Sequence, residues 1–214
     1  MLLIIEHLEP VLSRWVWIEY SNVSKIIGRN NLIITNVKQE KERKFLEKIA
    51  KKVYSESITE LSLASKYIVL DPQASNLLSL DDLRQGYPVI IGGIMGDYPP
   101  RGRTKKLLTN RLKNSIPRNL GKLQFSVDGV AYIVKTMYSE GKQLTDIPVT
   151  EGLEIEVEKR NGIVHTIYLP YGYPLVNGKP FISEELVEYL KHGIEEDEIR
   201  MIREGRPISV VDDE

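Results

Sequence analysis

Short runs of branched apolar residues recur along this chain with helix-patterned segments between them, and that alternation admits few folds. LLIIEH at 2–7 reads as a buried strand and residues 31–37 as a second. Tyr67 to Leu70 is a third, entering the turn DPQA, and Tyr87 to Ile91 a fourth, entering a glycine cluster. Strands apolar on both faces belong to a parallel sheet covered on both sides. A helix is predicted from Pro10 to Ile27, stopped by Gly28, with Leu12, Trp15, Val16, Val23, Ile26 and Ile27 on one stripe. Lys38 to Val53 reads as a charged surface helix with Phe45, Leu46, Ile49 and Val53 inward. Thr104 opens a helix to about Lys113, and Ser126 caps another to about Glu140 whose inward face is Val130, Ile133, Val134 and Met137. The expected architecture is an α/β domain over residues 1–147 with a mainly parallel sheet.

After Pro148 the pattern changes. GLEIEVEKRNGIVHTIYL alternates around Asn161-Gly162, which marks a type I′ hairpin, and Asn177-Gly178 marks a second turn before a short helix from Ser183. Residues 148–214 are therefore expected to form a C-terminal β-hairpin and helix extension. No repeat or low-complexity linker separates the two parts.

With 42% hydrophobic and 28% charged residues in 214, the composition is ordinary for a globular chain and excludes collagen, coiled coil and wholesale disorder. Cysteine is absent, which removes disulfide scaffolds, thiolate metal sites and Cys nucleophiles. His7, His165 and His192 form no i, i+4 pair, so no metal is assigned. The apolar run Met1 to Ile5 stops at Glu6 without a basic leader, so neither a signal peptide nor a membrane span is expected and the location is taken as cytoplasmic. The net charge of −1 argues against nonspecific coating of nucleic acid, yet it averages two extremes. From Arg101 to Lys122 there are eight Lys or Arg and no acid, whereas Glu195, Glu196, Asp197, Glu198, Asp212, Asp213 and Glu214 crowd the other end. Such a basic stretch suits phosphate or an acidic partner surface, or serves as a solvated face.

The stretch VIIGGIMGDYPPRGRT places Gly92, Gly93, Gly96 and Asp97 after a buried strand, where open α/β sheets bind ligands. It is not a phosphate loop, because Pro99 and Pro100 keep a helix from opening at the glycines. A ligand there is gripped by backbone amides and carbonyls. RNLGKLQFSVDGVA offers a second wall ending at Ser126 and Asp128, which also read simply as a helix cap. Glu19 falls inside the apolar stripe, and a carboxylate there needs a reason. With Glu6 and Asp97 it would form a cluster of acids around one pocket, if the sheet order brings them together.

IIEHLEPVLSRWVWIEY at 4–20, LDPQA at 70–74, GGIMGDYPPRGRT at 92–104 and LGKLQFSVDGVA at 120–131 together resemble the SPOUT-class methyltransferases. The likeness is to the branch of the yeast enzyme that methylates an arginine of a small-subunit ribosomal protein and its archaeal relatives. The resemblance implies a trefoil-knotted α/β fold and S-adenosylmethionine as cofactor. It implies a cofactor pocket walled by Leu70, Gly92, Gly93, Ile94, Gly96, Asp97, Leu120, Gly121, Gln124 and Phe125, with Ser126 and Asp128 nearby. A guanidinium substrate is cationic and needs carboxylates to orient it and take a proton, a demand that Glu19, Glu6 and Asp97 fit. An RNA substrate would instead use Arg101, Arg103, Lys105, Lys106 and Arg118 on phosphates. The favoured substrate is an arginine of a ribosomal protein or ribosomal particle. An RNA methyltransferase and a non-catalytic cofactor-binding assembly factor remain the alternatives. A monomer and a homodimer are equally compatible with the sequence.

Overall fold

The computed structural model describes residues 1–96, 101–160 and 163–212. Six parallel strands form the central sheet: β1 Leu3–His7, β2 Leu32–Thr35, β3 Lys52–Val53, β4 Tyr67–Leu70, β5 Val89–Gly93 and β6 Ser115–Arg118. Their order is β3-β2-β1-β5-β4-β6, so β1, β5 and β4 are central and read as continuous apolar runs, as strands covered on both faces must. Pro117 is tolerated in β6 because that strand lies at the sheet edge.

One face carries Leu3, Ile5, Leu70 and Ile91 against α1 Arg14–Ile27 and α4 Val127–Glu140. The other face carries Ile4, Val69 and Ile90 and is covered by Ile58, Leu108 and Leu112 from irregular segments. The helix α1 starts at Ser13 rather than at Pro10. The Ser13 hydroxyl accepts from Val16 N–H, and Leu12 N–H is already committed to the Glu42 carboxylate at 2.7 Å. Gly28 closes it as expected, with a positive φ of 84°. The helix expected over residues 38–53 is shorter, α2 Glu40–Leu46, because Lys52 and Val53 leave to pair with β2 as the edge strand. Thr104 opens no regular helix; Lys105–Thr109 forms a single π-helical turn. A short helix, α3 Leu80–Arg84, with Ser79 and Asp82 as a capping box, lies where no helix was expected.

The antiparallel hairpin is β7 Val149–Arg160 and β8 Ile163–Val176, extended by β9 Lys179–Pro180. Ser183 caps α5 Glu184–His192, and α6 Ile194–Glu204 follows. Ile155, Leu169, Tyr173, Leu186 and Leu190 form a third core that closes over Ile18 and Trp15 of α1. The helix α1 is thus buried between the sheet and the C-terminal extension. Among the described residues no helix is long and apolar enough to cross a membrane.

Candidate active site

The loops leaving the carboxyl ends of β4, β5 and β6 converge beside α4. Asp71, after β4, is 1% exposed and shapes its loop. Its carboxylate accepts from Gln73 N–H at 2.9 Å and from the Thr109 hydroxyl at 2.7 Å, while its own N–H donates to Arg118 O. Between these loops lies a cleft of about 690 Å³ lined by Leu70, Gln73, Gly92, Ile94, Arg101, Thr104, Gln124, Phe125 and Val130 among others. A second lobe of about 330 Å³ runs on between Leu70, Asn119, Leu120, Leu123 and Phe125. The walls are mainly apolar, with backbone at the glycine, as small-molecule sites commonly are. A Cβ at Gly92 would sit 3.3 Å from Thr104 Oγ1 and take up room in this cleft.

Ile94 and Phe125 also border a smaller cleft of about 290 Å³ with Trp15, Glu19, Met95, Gly96, Ser126 and Tyr171. Among the described residues Glu19 is its only acid. Oε1 accepts from Trp15 Nε1 at 2.7 Å and Oε2 from Val127 N–H at 3.1 Å, the first turn of α4. Burial, above all, and the neighbouring Asp128 carboxyl push Glu19 up to about 8, against those two hydrogen bonds. Asp128 is itself raised by burial, although it accepts from the Ser126 hydroxyl at 2.6 Å and Asn22 Nδ2 at 2.8 Å. The aromatic wall comes from the C-terminal hairpin. Tyr171 donates its hydroxyl to Gly96 O at 2.7 Å, and Gly172 N–H donates to Gln124 O at 2.8 Å. Gly96 has no room for a side chain, since a Cβ would meet Gln124 Nε2 at 2.3 Å and Tyr171 at 2.6 Å.

The structure therefore brings Leu70, Gly92, Ile94, Leu120, Gln124 and Phe125 to the larger clefts, and Glu19, Gly96 and Ser126 to the smaller one. Several expected residues do other work. Gly93 faces the core, where it makes room for Tyr20 and Ile5. Gly121 turns its loop with a φ of 99° and lines neither cleft. Asp128 holds Ser126 and Asn22 beneath the site without lining it.

Glu6 does not join Glu19. Successive strand residues point to opposite faces, and Glu6 lies on the face away from α1, where it accepts from Thr35, Ser57 and Ile58 N–H. His7 is buried and hydrogen-bonded to the Tyr20 hydroxyl, and burial lowers it to about 4. Arg118 makes a two-pronged pair with Asp82 at 2.8 Å, so it braces α3 instead of facing a substrate. Arg103 is engaged by Glu9 and by Met95 O. Lys105 and Lys106 are exposed, and Arg101 lies on the rim of the large cleft. Asp97 lies outside the described residues.

Sequence reasoning missed Asp71, Gln73 and Thr104 at the large cleft, and Trp15 and Tyr171 around Glu19. The Asp-Pro turn and the i, i+4 spacing of Trp15 and Glu19 were available signals. Tyr171 had none, being one of eleven tyrosines and set on an ordinary alternating strand.

A parallel sheet whose carboxyl-end loops wrap an apolar cleft is the arrangement of an open α/β protein that takes its ligand at the ends of its strands. The dual-specific Trm10 of Thermococcus kodakaraensis shares this fold, with a TM-score of 0.51 at 18% identity over 68% of this chain and 95% of that one. Protein arginine N-methyltransferase SFM1 of Saccharomyces cerevisiae is 29% identical over 202 residues, 88% of this chain and 93% of its own. The crystal structure of yeast SFM1 complexed with SAH superposes with a TM-score of 0.78 at 29% identity, covering 89% of this chain and 94% of that one. Residues 2–197 match the family described as protein arginine N-methyltransferase SFM1-like, and the chain belongs to that family.

Proposed function

We propose that this chain binds S-adenosylmethionine in the cleft between the β4, β5 and β6 loops and methylates an arginine side chain of a ribosomal protein, with Glu19 as the acid that orients the guanidinium and accepts its proton. The observation that carries this is the placement of Glu19, a buried carboxyl in a small aromatic-walled cleft that shares Ile94 and Phe125 with the larger one. Leu70, Gly92, Ile94, Leu120, Gln124 and Phe125 would hold the cofactor, which supplies a methyl group bound to a sulfonium. A guanidinium is cationic at any working pH, so its reacting nitrogen must be oriented and must shed a proton as the nitrogen–methyl bond forms. Trp15 and Tyr171 offer π faces for the cation. Trp15 Nε1 and Val127 N–H each bond one Glu19 oxygen, which holds the carboxylate rotamer and leaves each oxygen further accepting capacity.

The raised Glu19 has a direct consequence. Asp128, Tyr20 and Tyr173 face it, and burial raises both tyrosines above the usual phenol range, so they stay neutral. Glu19 is protonated below about 8, and only the carboxylate can act as base. The kcat/KM for methyl transfer is therefore expected to rise about tenfold per pH unit up to about 8 and then level. A flat profile between about pH 6 and 9 would remove Glu19 from the role.

The substrate is tested by incubating the chain with labelled S-adenosylmethionine and ribosomal particles. Label in the arginine of one ribosomal protein is the expected result. Label in deproteinised RNA, with unmarked protein, would overturn the reading.

A further inference from the structure

From Thr104 to Asn114 the chain runs as a strap across the sheet face opposite α1, built around the π-helical turn in which Asn110 N–H donates to Lys105 O at 3.0 Å. Leu108 and Leu112 enter the second core and anchor it. Lys105, Lys106, Arg111 and Lys113 are left exposed, and none of the four takes part in an ion pair among the described residues. The strap continues directly from Gly102, Arg103 and Thr104 in the wall of the large cleft. Lys122 is exposed on the opposite lip, beside Leu120 and Leu123 of the second lobe. Residues 148–214, by contrast, hold fifteen acids and seven Lys or Arg, so the charge of the chain is strongly segregated.

The other exposed residues of the strap are Asn110 and Asn114. A protein interface needs an apolar or aromatic centre, and the exposed side chains here provide none. Spaced cations without an apolar centre are instead what a sugar–phosphate backbone requires. We infer that this strap docks on RNA phosphates next to the acceptor arginine, so that the substrate is presented on a ribonucleoprotein surface. The inference rests on the arginine reading above and adds the partner that positions the particle.

Binding of a fluorescein-labelled RNA hairpin, followed by anisotropy against salt, tests it. Four phosphate contacts predict a log–log salt slope of about −3. The variant Lys105→Gln/Lys106→Gln/Arg111→Gln/Lys113→Gln is expected to weaken binding by tenfold or more and flatten the slope, with unchanged affinity for S-adenosylhomocysteine showing that the fold is intact. Methyl transfer to intact particles should fall more in this variant than transfer to the isolated acceptor protein. Unaltered RNA affinity in the variant, or displacement of the RNA by polyglutamate at equal concentration, would overturn the inference. Because binding is read without turnover, a failure of arginine transfer overturns only the preceding reading.

Discussion

Replacing Glu19 by Gln is expected to lower kcat for methyl transfer by about 10³-fold, within the range general-base removal produces, while calorimetry with S-adenosylhomocysteine gives the wild-type affinity within about twofold. The contrast follows from the partition of the site. Glu19 lies in the small cleft with Trp15 and Tyr171 and lines neither lobe of the larger one. The amide can still accept from Trp15 Nε1 but can take no proton. The variant should lose about 1–2 kcal/mol of stability and still fold, because its NH2 leaves the buried Val127 N–H without the acceptor that Glu19 Oε2 supplied. Glu19→Asp keeps the carboxyl but retracts it by one methylene, and should retain part of the rate. A Glu19→Gln protein that keeps more than a tenth of wild-type kcat would make Glu19 a buried structural acid that braces the start of α4 through Val127 N–H.

The two adjacent glycines of β5 should respond to alanine in opposite ways. In Gly93→Ala the new methyl would lie 1.9 Å from the Tyr20 hydroxyl and 2.8 Å from Ile5 Cγ2. Tyr20 is 1% exposed and its hydroxyl is bonded to His7, so it has nowhere to retreat. Overpacking of this kind costs about 2–3 kcal/mol, a fall of roughly 5–10 °C in melting temperature for a chain of this size. Gly92→Ala meets nothing closer than 3.3 Å, and the contact is the Thr104 side chain at the cleft. That variant should melt near wild type and lose about tenfold in affinity for S-adenosylhomocysteine, since one misplaced methyl in a filled pocket costs about 1–3 kcal/mol. The opposite pattern, with Gly92→Ala unstable and Gly93→Ala weak only in binding, would show that the assignment of the pair is wrong.

Much of the local structure was legible. Tyr67–Leu70 is a strand at the boundaries its apolar run marks, Gly28 ends α1, and Ser126 and Ser183 cap the helices expected of them. These are short-range effects, in which a side chain satisfies a backbone group a few residues away. The failures arise where a distant segment competes. Ile49, Ala50 and Val53 continue a helical stripe, but pairing of Lys52 and Val53 with β2 ends the helix early. The parity of Glu6 with Ile4 was readable in the strand, but parity does not say which face α1 will cover. The basic stretch shows the same limit. Arg118 and Lys105 look alike in sequence, yet one is locked to Asp82 and the other is exposed.

By itself the sequence determined four strands of the parallel sheet, β1, β2, β4 and β5, the caps and the glycine-bearing loop at a strand end, because each is encoded within a few neighbouring residues. It also carried the family through four ordered segments. Tertiary structure alone decided that Trp15 and Glu19 from α1, Ser126 before α4 and Tyr171 from the C-terminal hairpin meet at one cleft. A periodic pattern states which face of an element is apolar, while the partner of that face is chosen by burial among segments far apart in the chain.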